Sequence, residues 1–272
     1  MRAWWQEIAD LVLPADCAGC GRPGGTLCGR CRGALRGSGA RRVEPSPVPP
    51  GLPVVHAAVD YVDEARAVLL AHKERGALRL ARPLGEALAG AVRAVCAGAG
   101  AAPRAGYGPR ARTRACGAGP DAIRGARPGR RRGAGAGARP GTGPLLLVPV
   151  PSARRAVGAR GHDPARRIAL AAAGVLRDGG RPARVPAVLR QRRRVTDQSG
   201  LDARQRRANV TGALGAVPGS GRLLVEGPVV LVDDLMTTGA SLAEAARAVT
   251  VAGGLVIGAA VVAAPLTRID RN

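Results

Sequence analysis

Two groups of residues in this 272-residue chain could do chemistry, and they lie near opposite ends of it. Toward the C-terminus, Val229-Val230-Leu231-Val232 runs into Asp233-Asp234, and after Leu235-Met236 comes Thr237-Thr238-Gly239-Ala240-Ser241. Toward the N-terminus, Cys17 and Cys20 form one Cys-x-x-Cys pair and Cys28 and Cys31 a second, each with a glycine in the turn.

In the first group, the apolar β-branched run reads as a strand buried on both faces. The Ala/Leu/Glu/Arg segment from Leu242 to Val249 reads as a helix. The small-residue loop between them leaves the first backbone N–H groups of that helix pointing outward, where the helix dipole adds positive charge, so a phosphate is the natural occupant. Thr237, Thr238 and Ser241 add hydroxyl donors, and Gly239 lets a ligand approach the backbone closely. Asp233 and Asp234 would repel a phosphate, but they can accept hydrogen bonds from a diol or help hold a divalent cation through water. Two acids with an anion cradle behind them suit a sugar phosphate. Two other readings fit the same residues: a plain strand–turn–helix with solvated carboxylates, and the metal-binding strand of a nucleotide hydrolase. The second lacks its usual partner, since no Gly-x-x-x-x-Gly-Lys-Ser/Thr loop occurs in the chain.

The four cysteines bring four thiolates within reach of one tetrahedral centre, for which Zn²⁺ is the usual ion. Arg22, Arg30 and Arg32 raise the local potential and favour thiolates. Two disulfides, or a redox dithiol, are the alternatives. With all four positions filled by protein, the metal is expected to fold a compact knuckle and do no chemistry.

The elements that must position these groups follow from pattern. A 46% hydrophobic chain can build a core, but with no Phe, two Trp and two Tyr that core must be Ala, Val and Leu. Trp4, Trp5, Ile8, Leu11 and Val12 lie at helical spacing, interrupted by Glu7 and Asp10, which fits a short amphipathic helix better than a signal peptide. Helix and knuckle make a unit over 1–42, and the proline-rich stretch 43–53 reads as a linker. The main domain then spans 54–272: a strand over 54–61, helices over 64–72 and 78–95 joined by Lys73-Glu74-Arg75-Gly76, and a strand from Leu145 to Val150. A helix from Pro164 to Arg177 follows, led by Asp163, and a strand is expected over 184–189. The apolar run from Gly254 to Pro265 is too short to cross a bilayer and reads as the last buried strand. No membrane-spanning segment is expected, and the default location is the cytoplasm. From about 97 to 143 the chain is Gly, Ala, Pro and Arg, and its composition predicts disorder. His56 and His72 read as structural; Cys96 and Cys116 receive no role.

The formal charge is +23, and Lys73 is the only lysine among 42 basic residues. Such an excess attracts polyanions. Coding bias toward Arg, Ala and Gly explains it equally well, and Arg130-Arg131-Arg132 lie in the low-complexity stretch.

In order, the zinc knuckle, Leu145 to Pro151 with its Val-Pro-Val-Pro ending, Arg154-Arg155, Arg160-Gly161, Gln198 through Asn209, and Val232-Asp233-Asp234 with Thr237-Thr238-Gly239-Ala240 resemble the ComF family of phosphoribosyltransferase-like proteins. The last motif alone resembles the phosphoribosyl pyrophosphate (PRPP) motif of type I phosphoribosyltransferases. The resemblance implies a type I phosphoribosyltransferase fold, an α/β domain with a parallel sheet flanked by helices and a small hood, carrying an N-terminal four-cysteine zinc module. It implies that Asp233 and Asp234 meet the ribose diol and that Thr237, Thr238, Gly239, Ala240 and Ser241 wrap the 5′-phosphate. It further implies that Pro151, Ser152, Arg154 and Arg155 belong to a pyrophosphate loop and Gln198 to a mobile loop, with Mg²⁺ accompanying PRPP. His162-Asp163-Pro164 and Leu214 depart from the family pattern, which often has Phe-Asn-Gln and an aromatic there. The implied reaction transfers the phosphoribosyl group to an acceptor and releases pyrophosphate. Two other functions fit the same resemblance: a non-catalytic adaptor for single-stranded DNA uptake in competence, working with DNA or DNA-uptake proteins, and a PRPP-binding regulator. Charge favours the adaptor, but single-strand binders stack bases on aromatic side chains, of which this chain has almost none. An oligomer is compatible with every reading.

Overall fold

Val229–Leu235 is a strand, and its first four residues are fully enclosed because apolar layers cover both of its faces. The structure, a computed structural model, describes residues 16–101, 143–152, 157–158, 160–193 and 209–266. In chain order the elements are α1 (Gly29–Arg36), β1 (Arg41–Val43), β2 (Val55–Asp60), α2 (Asp63–Glu74), a 3-10 turn (Leu78–Leu80), α3 (Ala81–Ala101), β3 (Leu145–Pro149) and α4 (Pro164–Asp178). Then come β4 (Ala183–Arg184), β5 (Leu189–Gln191), β6 (Leu214–Ala216), α5 (Gly221–Leu224), β7 (Val229–Leu235), α6 (Ala240–Val251) and β8 (Val256–Ala264).

Six strands form one sheet in the order β1-β2-β8-β7-β3-β4, parallel throughout except for the antiparallel edge strand β1; β5 and β6 make a separate antiparallel pair. A mostly parallel sheet requires crossovers, and helices supply them on both faces. One face is packed by Leu35 of α1, Val68 and Leu69 of α2, Leu84, Leu88 and Val92 of α3, and Ile168 and Leu176 of α4. The other is packed by Leu242, Ala245 and Val249 of α6, Leu224 of α5 and Leu214 of β6. With no large aromatic among the buried residues of these layers and only partly buried Tyr61 packed against one of them, close approach substitutes for bulk. At Gly85 of α3 a Cβ would lie 2.5 Å from the Ala171 Cβ of α4, so the two helices cross nearly backbone to backbone.

Strand order places the site. From β3 the chain crosses through α4 to β4 on one side; from β7 it crosses through α6 to β8 on the other. The neighbours β3 and β7 therefore flank the point where strand order reverses, and in an open α/β sheet the carboxyl ends of the strands at such a point are where a ligand is expected.

Several expectations meet their elements: 54–61 becomes β2, 64–72 lies within α2, and the Gly254 to Pro265 run contains β8. Asp163 caps α4 as its position suggests, accepting the Arg166 backbone N–H at 3.1 Å. Three expectations are corrected. The single strand over 184–189 is instead two short ones in different sheets, because Pro186 lacks the N–H that a continuing ladder needs. The helix expected over 78–95 opens with a 3-10 turn and runs on to Ala101, so the first residues of the stretch from 97, composed of Gly and Ala, are helical. The proline-rich stretch 43–53 is packed onto the main domain: Val43 pairs in β1, and Pro45 and Pro49 are buried. The N-terminal amphipathic helix and the rest of the low-complexity stretch to 142 lie outside the described residues.

Candidate functional site

The site grows from the carboxyl end of β7. Along this strand side chains alternate between faces. Val230 and Val232 pack in the layer of α2, α3 and α4, and Val229 and Leu231 in the layer of α6. Continuing the alternation sends Asp234 toward α2 and Asp233 toward α6. Asp234 is buried, and its Oδ2 lies 2.8 Å from the Nζ of Lys73 at the end of α2. Asp233 is half-buried, and its Oδ1 accepts the Asp234 backbone N–H at 2.8 Å. Burial, followed by the neighbouring Asp234 carboxylate, pushes Asp233 well above the usual carboxylate range, with Lys73 opposing. Burial would lower Lys73, but the Asp234 and Asp233 carboxylates outweigh it and hold the ammonium above its ordinary value. Among the described residues, Asp233, Asp234 and Lys73 thus share a charge cluster.

After β7, Met236 donates its N–H to Ala263 at 3.1 Å, and the loop then leaves the sheet. Thr237 is exposed, Thr238 and Ser241 are half-buried, and Gly239 and Ala240 are buried. Gly239 is the N-cap of α6, at φ 70° and ψ −1°, and it offers no side chain to the first turn. This left-handed conformation costs a residue with a Cβ roughly 1–2 kcal/mol. Among the described residues no side chain caps α6, which leaves its first-turn amides available to an anion. One side of Gly239 is covered: a Cβ there would meet both Leu52 methyl groups at 3.1 Å and Pro45 at 3.3 Å. The proline-rich stretch thus buttresses the loop.

The end of β3 lies alongside. Pro149 pairs with Val232, and the Val150 N–H reaches the Val232 carbonyl at 2.9 Å, which sets Pro151 and Ser152 beside the acid pair, both half-buried. Arg154, Arg155 and Gln198 lie outside the described residues. Further along the β3–α4 connection, Arg160 grips the Glu74 carboxylate through two bonds of 3.0 and 2.9 Å. His162 Nε2 lies 3.3 Å from the His72 carbonyl. His72 itself is fully buried, with Nδ1 3.3 Å from the Ala77 carbonyl, and burial lowers its basicity.

The four cysteine sulfurs lie within 4.8 Å of one another. The edges of a tetrahedral zinc–thiolate centre are about 3.8 Å long, so this set needs only slight contraction around an ion. Cys28 is the N-cap of α1, and its Sγ faces the Cys31 N–H at 3.5 Å; the Cys28 N–H in turn reaches the Cys17 Sγ at 3.3 Å. Although burial opposes it, the backbone N–H groups of Cys28, Cys20 and Gly19 lower the Cys17 thiol to about 6. Burial, followed by the neighbouring sulfurs, raises Cys31. Crowding of the four sulfurs thus opposes a full set of thiolates, and a divalent cation would relieve this. The donor set fits a structural metal.

Sequence reasoning missed Lys73, reading it as part of a connector. The available signal was compositional: it is the only lysine in a chain that otherwise uses arginine. It also missed the cover that Pro45 and Leu52 give Gly239, for which a linker composition offers no sign. No helix among the described residues is long and apolar enough to cross a membrane. No protein-family model matches the chain, and no curated protein matches it in sequence.

Proposed function

We propose that this protein has a type I phosphoribosyltransferase fold of the ComF kind, binds PRPP with Mg²⁺, and transfers the phosphoribosyl group to an acceptor with release of pyrophosphate. One observation carries the reading: an acid pair and a glycine-started helix N-terminus without a side-chain cap follow one another at the carboxyl end of the sheet where strand order reverses. The acids suit the ribose diol and the loop suits the 5′-phosphate, at the two ends of one sugar. Pro151 and Ser152, beside Asp233, border the space left for the pyrophosphate.

In the reaction the bond from C1 of the ribose to the pyrophosphate oxygen breaks, and its electron pair leaves with pyrophosphate. The acceptor's nucleophile, a base nitrogen in the usual case, bonds to C1 and releases its proton to the departing pyrophosphate or to solvent. Positive character grows at C1 while negative charge grows on the leaving group, so fixed charges near both carry the catalysis. Asp233 and Asp234 orient the hydroxyls and set negative potential near C1. Half-buried Asp233 would be the carboxylate more open to Mg²⁺, since Asp234 is buried; the ion would neutralise charge on the pyrophosphate. No protein nucleophile is required.

The test is calorimetric titration of the zinc-replete protein with PRPP and Mg²⁺, beside an Asp233→Asn/Asp234→Asn variant. Binding by the parent and its loss in the variant is the expected result, and would be followed by screening bases for pyrophosphate release. A folded parent that binds no PRPP overturns the proposal and turns attention to salt-dependent binding of single-stranded DNA.

A further inference from the structure

Lys73 lies at a junction. Its ammonium is on Asp234, while the residues on either side of it are tied elsewhere: the His72 carbonyl meets His162, and the Glu74 carboxylate meets Arg160 in a two-bond grip. Both ties run to the connection that leaves β3 through Pro151 and Ser152. The end of α2 is therefore pinned to that connection, and the one side chain between the ties reaches the acid pair of β7. A side chain so placed can swing between a carboxylate and an anion lying along the β3 end, for its stem is flexible and the side chain is a third exposed.

From this placement we infer that Lys73 is a ligand-binding residue: it rests on Asp234 in the free protein and moves to the pyrophosphate of the substrate when the ribose hydroxyls take the carboxylates. This inference rests on the PRPP reading and adds the group that receives the leaving phosphates. Lys73 stands in for the ligand while the site is empty, since Asp234 is buried and an unpaired carboxylate there would be costly. Binding then exchanges one charge-assisted contact for two: hydroxyls on Asp234, and phosphate oxygens on the ammonium. A purely structural lysine would stay on Asp234 whatever was bound.

The test compares PRPP, inorganic pyrophosphate and ribose 5-phosphate, each with Mg²⁺, as ligands of the parent, Lys73→Met and Lys73→Arg. The expected result is that Lys73→Met weakens PRPP and pyrophosphate about tenfold, equivalent to about 1.4 kcal/mol, leaves ribose 5-phosphate little changed, and is partly rescued by Lys73→Arg. Equal loss of all three ligands makes Lys73 only a support for Asp234 and overturns the inference while the PRPP reading stands. A folded parent that binds none of the three overturns the PRPP reading, and the inference with it. Should Lys73→Met fail to fold, the unaltered protein still answers. Its single lysine can be acylated and the modified peptide followed by mass spectrometry. Pyrophosphate with Mg²⁺ should slow acylation of Lys73; an unchanged rate in a parent that binds pyrophosphate overturns the assignment.

Discussion

Gly239 concentrates two demands on one residue. Its backbone is left-handed, and the space where a side chain would start is filled by Leu52 and Pro45. Gly239→Ala therefore meets conformational strain of about 1–2 kcal/mol together with contacts that force the cover outward. The expected outcome is a lower urea midpoint and weaker PRPP binding, because the amides of the loop are displaced along with the cover. Gly90→Ala supplies the control: it lies within α3, where a Cβ meets nothing within 4 Å and alanine favours the helix. Its midpoint should hold or rise.

At the scale of elements, α6 must be held while its N-terminus carries the loop, and Glu244 holds it. This buried carboxylate accepts the Leu214 N–H of β6 at 3.1 Å and is gripped by Arg247 at 2.8 and 2.7 Å; Arg247 also reaches the Leu214 carbonyl at 3.0 Å. The clamp ties the small β5–β6 sheet to α6. Burial opposes ionisation, but Arg247 and the backbone donors outweigh it and hold Glu244 below its ordinary value. A carboxylate depressed in the folded state contributes stability that is present above its unfolded pKa and is lost as pH falls through the folded one. Glu244→Gln should cost roughly 1–3 kcal/mol at neutral pH. The gap from the parent should narrow in acid, as thermal melts from pH 7 down to pH 3 would record. A constant gap across that range would assign the loss to packing alone.

For the whole molecule, the N-terminal segment wraps the sheet edge. The cysteine knuckle leads into α1 on the face of α2 and α3; β1 then closes the edge, and the stretch after it reaches the Gly239 loop on the other face. Metal and ligand should therefore be coupled, and coupling is reciprocal. Stripping the metal with a chelator should lower the melting temperature and weaken PRPP binding, and saturating PRPP should slow zinc release to a chromogenic chelator. Release at the same rate with and without bound PRPP would show that the wrap transmits nothing.

Local chemistry was legible in the sequence because it is written in contiguous residues. The apolar run before Asp233, the small residues after Met236 and the spacing of Cys17, Cys20, Cys28 and Cys31 each fix a strand, a loop or a donor set with little reference to the rest of the chain. Asp163 likewise announced the start of α4 through its own side chain. Other features depended on which strands became neighbours. Lys73 meets Asp234 only because the end of α2 is carried to the end of β7, and Leu52 covers Gly239 only because β1 pairs at the sheet edge. The strand expected over 184–189 divided because the two parts found partners in different sheets. No window of sequence contains these contacts, since they follow from strand order, which is decided by burying all the apolar faces at once. The sequence by itself determined which residues could bind an anion, a diol or a metal; the tertiary structure decided where they meet and which cation faces them.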